Sequence, residues 1–120
     1  MSDSFPLYRY KAKVNKVYDG DTITVDIDLG LDAWHHSMQI RLAEIDTPEV
    51  RGANKVQGIK VRDIVRELIL GEKIYLHTTE KGKYGRYLGK VYCKIDGEET
   101  CLNDWLVENG YAEYYSGRRR

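Results

Sequence analysis

Apolar and polar residues alternate through much of the first fifty positions. Tyr8, Tyr10, Ala12 and Val14 are interleaved with Arg9, Lys11 and Lys13, the period-two pattern of a half-buried strand. After the turn signal Asp19-Gly20, Ile23, Val25, Ile27 and Leu29 alternate with Thr24, Asp26 and Asp28 and predict a second strand. Met38, Ile40 and Leu42 predict a third, running into Ile45. Asp46-Thr47-Pro48 ends it, because proline has no ladder donor and constrains the residue before it. The stretch 30–37 reads as a long hairpin connection, with His35 and His36 solvated at its tip. The period then changes. Val61, Ile64, Val65, Leu68 and Ile69 fall at helical spacing, behind Asn54 as a cap and ahead of Gly71 as a stop. Ile74 and Leu76 mark a fourth strand, and Tyr87, Val91, Cys93 and Ile95 a fifth. A basic, glycine-rich loop over 81–86 separates them. A short helix fits 103–109, anchored by Trp105 and Leu106 and stopped by Gly110.

Three meandering strands, a helix between the third and fourth, and a short helix after the fifth describe a mainly β chain with helices. The order predicts a five-stranded OB-type barrel. The 120 residues form one domain, 1–120, with about 1–6 and 116–120 expected to be flexible. Trp34 is expected to cover one end of the barrel. No apolar run approaches the ~18 residues of a membrane span, so a membrane partner is excluded and a soluble monomer is expected. The turn Asp96-Gly97 pairs Ile95 with Glu98, hence Cys93 with Thr100 and Tyr92 with Cys101. The two cysteines then point to opposite faces and do not pair. The first residues lack a basic segment followed by an apolar one, so a cytoplasmic location is expected, or a secreted one if a leader has been removed.

Nineteen basic residues balance nineteen acidic ones. The zero net charge removes the simplest case for a nucleic-acid partner, a basic whole domain. The balance is uneven along the chain, however: residues 1–50 hold five basic against nine acidic residues, and 51–120 hold fourteen against ten.

Three segments carry candidate chemistry. Asp19-Gly20-Asp21-Thr22 alone is a hairpin turn. If the second strand extends back from Ile23, Asp21 shares the inward parity of Ile23 and Val25, and a carboxylate there needs a cation or donors. Arg41 to Glu49 places Asp46 at a strand end beside Glu49. Read plainly, this is a turn with solvated charges. Read as a site, Asp21, Asp46, a turn carbonyl and waters suit one calcium ion, a hard cation that takes oxygen ligands. Lys83-Tyr84-Gly85-Arg86 is either a solvated loop or a phosphate contact, with the Arg86 guanidinium forking onto a phosphate. Together the parts match phosphodiester hydrolysis, which needs an activated water, a cation for the phosphate and donors for the charge that builds up. Glu49 is the candidate base, Asp21 and Asp46 the metal ligands, Arg41 and Arg86 the donors.

The ordered set Asp19-Gly-Asp-Thr22, Arg41…Asp46-Thr-Pro-Glu49 and Lys83-Tyr-Gly-Arg86 resembles the staphylococcal nuclease (thermonuclease) family from about Tyr8 to Tyr115. The resemblance implies a calcium-dependent nuclease of DNA and RNA that cuts the 5′ P–O bond and leaves 3′-phosphate ends. It implies calcium binding by Asp21, Asp46 and the Thr47 carbonyl, with Glu49 at the attacking water and Arg41 and Arg86 on the phosphate. It implies substrate contacts from Lys83 and Tyr84. Tyr114 and Tyr115 lie near the family's base-stacking tyrosines without aligning cleanly. The 50–58 segment is shorter than the family's loop, and the family's long C-terminal helix has no counterpart in these residues. A non-catalytic OB-type module that binds single-stranded nucleic acid or protein stands as the alternative.

Overall fold

The computed structural model describes residues 8–81 and 86–114. Lys83, Tyr84, Tyr115 and both expected flexible ends lie outside the described residues. The order is β1 (Arg9–Asp19), β2 (Thr22–Gly30), β3 (Ala33–Leu42), β4 (Ile45–Asp46), a 3-10 turn (Gly52–Asn54), α1 (Lys55–Ile69), β5 (Lys73–Lys81), β6 (Tyr87–Ile95), β7 (Glu98–Cys101), α2 (Leu102–Glu108) and β8 (Glu113–Tyr114). The main sheet runs β3-β2-β1-β5-β6-β7. β3 also pairs with β6 in parallel, Ile40 opposite Tyr87 through Leu42 opposite Gly89. The architecture is an OB-fold-like β-sheet with interspersed helices.

The expectation of five strands needs correction, since three short strands join them. β7 answers β6 across the Asp96-Gly97 turn, with the register that turn predicts: Ile95 faces Glu98, Cys93 faces Thr100 and Tyr92 faces Cys101. Both cysteines are free. β4 and β8 form a two-residue pair, Ile45 with Tyr114 and Asp46 with Glu113. β3 also starts earlier than expected. Leu31 and Asp32 take φ of 56° and 63°, which closes a tight turn and lets the strands run on, so His35 and His36 lie in β3 and not at a loop tip. Trp34 does not cover a barrel end; it is 45% exposed and stacks on the His36 ring.

The core follows the alternation. Ala12, Val14 and Val17 of β1, Ile23, Val25 and Ile27 of β2, Ile40 and Leu42 of β3, and Ile74 and Leu76 of β5 are buried. α1 lays Val61, Val65 and Ile69 against them, one residue per turn on a single stripe. Each such side chain contributes about 1.5–3 kcal/mol through burial. Gly71, at φ 79°, lets the chain leave α1 and return to the sheet, where its N–H donates to the Val14 carbonyl at 2.9 Å.

α2 begins at Leu102, one residue before its expected start, and this places Asn103 inside the fold. Asn103 is 1% exposed. Its Oδ1 accepts from the Val91 N–H at 3.0 Å, and its Nδ2 donates to the carbonyls of Ala43 at 3.0 Å and Gly89 at 3.2 Å. This one amide ties α2 and β6 to the corner between β3 and β4.

Candidate active site

Two loops meet at that corner. The first joins β1 to β2. Asp19 pairs with Thr22, so the turn is Gly20-Asp21. The Asp21 N–H donates to Asp19 Oδ1 at 3.1 Å, which curls the turn inward. Asp21 is only 7% exposed, as its expected inward aim requires, although it reaches the interior from the turn and not from the strand. The second segment is the β3–β4 corner and the chain to Glu49. The Leu42 N–H donates to the Asp21 carbonyl at 2.9 Å, and the Thr47 N–H donates to Asp21 Oδ2 at 3.1 Å. A Cβ on Gly20 would lie 2.7 Å from Val61 Cγ1 and 2.9 Å from Thr47 Oγ1, so only glycine lets the two loops and α1 meet.

Arg41 joins the two carboxylates. Its Nη2 lies 2.5 Å from Asp46 Oδ1 and 3.4 Å from Asp21 Oδ2. Its Nη1 donates to the carbonyls of Leu42 and Ile45, each at 3.0 Å. Four acceptors therefore fix one guanidinium, which is mostly buried. Thr22 extends the group. Its hydroxyl donates to Asp21 Oδ1 at 3.3 Å and accepts from Arg86 Nη1 at 3.5 Å. Asp21, Arg41, Asp46, Thr47 and Arg86 are thus joined in one connected network.

The remaining candidates sit around it. Glu49 is exposed, and its backbone carbonyl presses on α1, where a Cβ at Gly58 would come within 1.9 Å of it. Tyr114 is held beside Ile45 by the β4–β8 pair, and its hydroxyl donates to Asp104 Oδ1 at 2.9 Å. A polar cleft of about 310 Å³ lies between Asp46, Thr47, Gln57 and Tyr111.

Two participants were not among the expected site residues. Asp19 has its carboxyl pushed up to about 7, chiefly by burial and then by its hydrogen bond with, and the charge of, Asp21. Thr22 links Asp21 to Arg86. Both stand in the Asp19–Thr22 segment, and the position of that segment beside Arg41 is set by the pairing of Thr22 with Arg41.

Among the described residues no group of three His, Cys, Asp or Glu forms a ready metal cage. The donor set nevertheless suits a hard cation. Asp21 and Asp46 both turn an oxygen to the same cationic nitrogen, and the buried Thr47 Oγ1 has no hydrogen-bond partner among the described residues.

Comparison with known proteins bears on the family of the chain. Residues 39–120 match the family model described as staphylococcal nuclease homologue. The chain is 30% identical over 111 residues to a micrococcal nuclease of Shigella flexneri, covering 88% of this chain and 59% of that protein. It is 33% identical over 103 residues to an uncharacterized endonuclease of Escherichia coli O157:H7, covering 86% and 60%. It is 34% identical over 105 residues to the thermonuclease of Staphylococcus hyicus, covering 83% and 56%. The chain therefore spans somewhat less than two thirds of these relatives. With the family match covering more than half of its length, the chain belongs to the staphylococcal nuclease homologues.

Proposed function

We propose that the chain is a calcium-dependent nuclease that hydrolyses phosphodiester bonds of DNA, and of RNA, at the 5′ P–O bond and leaves 3′-phosphate ends. The observation that carries this reading is the network in which Arg41 bridges Asp21 and Asp46 while Thr22 links Asp21 to Arg86. The family relationship supports a hydrolytic action on nucleic acid. Asp21 and Asp46 would hold calcium with the Thr47 carbonyl. Bound there, the ion would supply positive charge to a phosphate oxygen and polarise water.

The chain's own residues do the rest. Glu49 accepts the proton of the water that attacks phosphorus, and its exposed carboxylate is open to solvent for that purpose. Arg41 is oriented at Nη1 by the Leu42 and Ile45 carbonyls, which leaves Nη2 as the nitrogen it offers to a phosphate. Its Nη2, shared between two carboxylates, is the donor for which a phosphate competes. Arg86 donates from the Thr22 side, and the pair brackets the charge that grows on the phosphate oxygens. Lys83, Tyr84, Tyr114 and Tyr115 are the proposed contacts to the rest of the nucleotide. The parallel β3–β6 pair, which sets Ile40 opposite Tyr87 and Arg41 opposite Leu88, brings the start of β6 after Arg86 alongside the strand that carries Arg41.

Incubation with plasmid and single-stranded DNA, in calcium and then in chelator, tests the reading. Cleavage in calcium, its loss in chelator, and a ~10²–10⁴-fold drop for Glu49→Gln are expected. Intact DNA at high protein concentration in calcium would overturn it. Binding of single strands that persists in chelator without turnover would favour a non-catalytic module instead.

A further inference from the structure

The register of β1 against β2 shifts between Val14, opposite Val25, and Lys16, opposite Thr24. Asn15 is the extra residue of a β-bulge, a feature that re-aims the side chains after it. Without the bulge Lys16 would share the inward parity of Val14. With it, Lys16 is exposed, Val17 turns into the core and Tyr18 faces out. The β2–β3 pairing places Gln39 opposite Thr24 and Arg41 opposite Thr22. Two parallel rows result on one face of the sheet: Asp19, Thr22 and Arg41 in the site, and Lys16, Thr24 and Gln39 beside it. Two strand residues separate the rows, roughly 7 Å. That step is comparable to the distance between successive phosphates of an extended single strand.

The second row is concave. A groove of about 350 Å³ is lined by Lys16, Tyr18, Thr22, Thr24, Gln39 and Arg86, with no carboxylate among the described residues of its wall. It shares Thr22 and Arg86 with the site, so a strand held at Arg86 enters it directly. Among the described residues Lys16 has no ion-pair partner. The Tyr18 hydroxyl accepts from Arg51 Nη2 at 2.7 Å, which braces the half-exposed ring and sets a second cation at the rim. The next row ends the cationic surface, because Lys13 faces Asp26 there and Asp28 follows.

We infer that this groove is a subsite for one further nucleotide of a single-stranded polynucleotide, an inference that rests on the nuclease reading. Lys16 and Arg51 take the flanking phosphate as charge-assisted donors. Tyr18 offers its face to an unpaired base or its sugar. Thr24 and Gln39 supply hydrogen-bonding groups along the floor.

The test compares a chromogenic phosphodiester of a single nucleoside with single-stranded DNA lengthened one nucleotide at a time, all in calcium. Lengthening into the groove should lower KM in one step and then level off. The double variant Lys16→Gln/Arg51→Gln should abolish that step, raise KM for the longer strands about tenfold, and leave kcat and the short reporter unchanged. The dependence of KM on salt should flatten by about one phosphate contact. Tyr18→Ala should raise KM on the same strands, whereas Tyr18→Phe, which keeps the ring, should do so far less. Melting temperatures equal to that of the unsubstituted protein confirm that the variants fold. Full turnover with identical KM values in all variants would overturn the subsite and leave the nuclease reading intact. Turnover of neither substrate by the unsubstituted protein would overturn both.

Discussion

The chain uses Asp-Gly twice to turn a hairpin, and the two turns differ in almost every other respect. Asp96-Gly97 is itself a two-residue loop, with both residues in the left-handed region at φ 54° and 83°, and it is open to solvent. Nothing lies within 4 Å of where a Gly97 Cβ would stand. Its glycine answers a local need, the twist of a tight hairpin. In Asp19-Gly20-Asp21-Thr22 the loop is shifted one residue on, Gly20 is not in the left-handed region, and its glycine answers a tertiary need, the close approach of Val61 and Thr47. A residue pair that reads as punctuation in both places is punctuation in one and a joint between three elements in the other.

The comparison can be broken first at the aspartates. Asp21→Asn should cost ~10²-fold or more in turnover, since the buried acceptor of the Thr47 N–H and partner of Arg41 loses its charge. Asp96→Asn should leave kcat/KM unchanged and shift stability by less than ~0.5 kcal/mol, because asparagine also tolerates a positive φ. Equal effects of the two on DNA cleavage would erase the distinction. The glycines sharpen it. Gly20→Ala should cost about 1–3 kcal/mol by overpacking and lower activity as well, as the Asp21 loop is pushed off Thr47. Gly97→Ala should cost about 1 kcal/mol through backbone strain alone, with activity retained. Denaturant unfolding read beside cleavage rates separates the two. The smallest effect concerns the strand after which the second turn stands. Burial pushes the Cys93 thiol up to about 11, and Cys101 sits on the opposite side of the sheet. A thiol reagent at pH 8 should therefore label Cys93 slowly in the folded protein and rapidly in denaturant, with no disulfide after air oxidation.

Legibility in the sequence follows the same divide between local and tertiary causes. The β6–β7 register could be read residue by residue, because a two-residue Asp-Gly loop leaves one pairing. The α1 stripe and its Gly71 stop were legible for a similar reason: each is set within a few turns of chain. The start of β3 was not, since Trp34, His35, His36 and Ser37 are all exposed and show no alternation. The β4–β8 pair was invisible because two residues on each side, nearly seventy positions apart, leave no periodic trace. In the site, the residue types and their order were legible. The bridge that Arg41 makes between Asp21 and Asp46, and the relay through Thr22, came only with the pairing of β2 and β3. The bulge at Asn15 left a trace that can be recognised afterwards: the inward parity of β1 passes from Val14 to Val17, an odd step that a regular strand forbids.

Asn103 gives the molecule an unequal division of labour between its ends. Asp21, Arg41, Asp46, Thr47, Glu49 and Arg86 all precede α2 in the chain, yet the corner that presents them hangs on an amide that comes later. During synthesis the nascent chain would carry its proposed catalytic and metal-binding residues before it had the means to arrange them. Competence would arrive as a late event, when α2 docks, and a protease cut between β6 and α2 would silence the site without touching any residue in it.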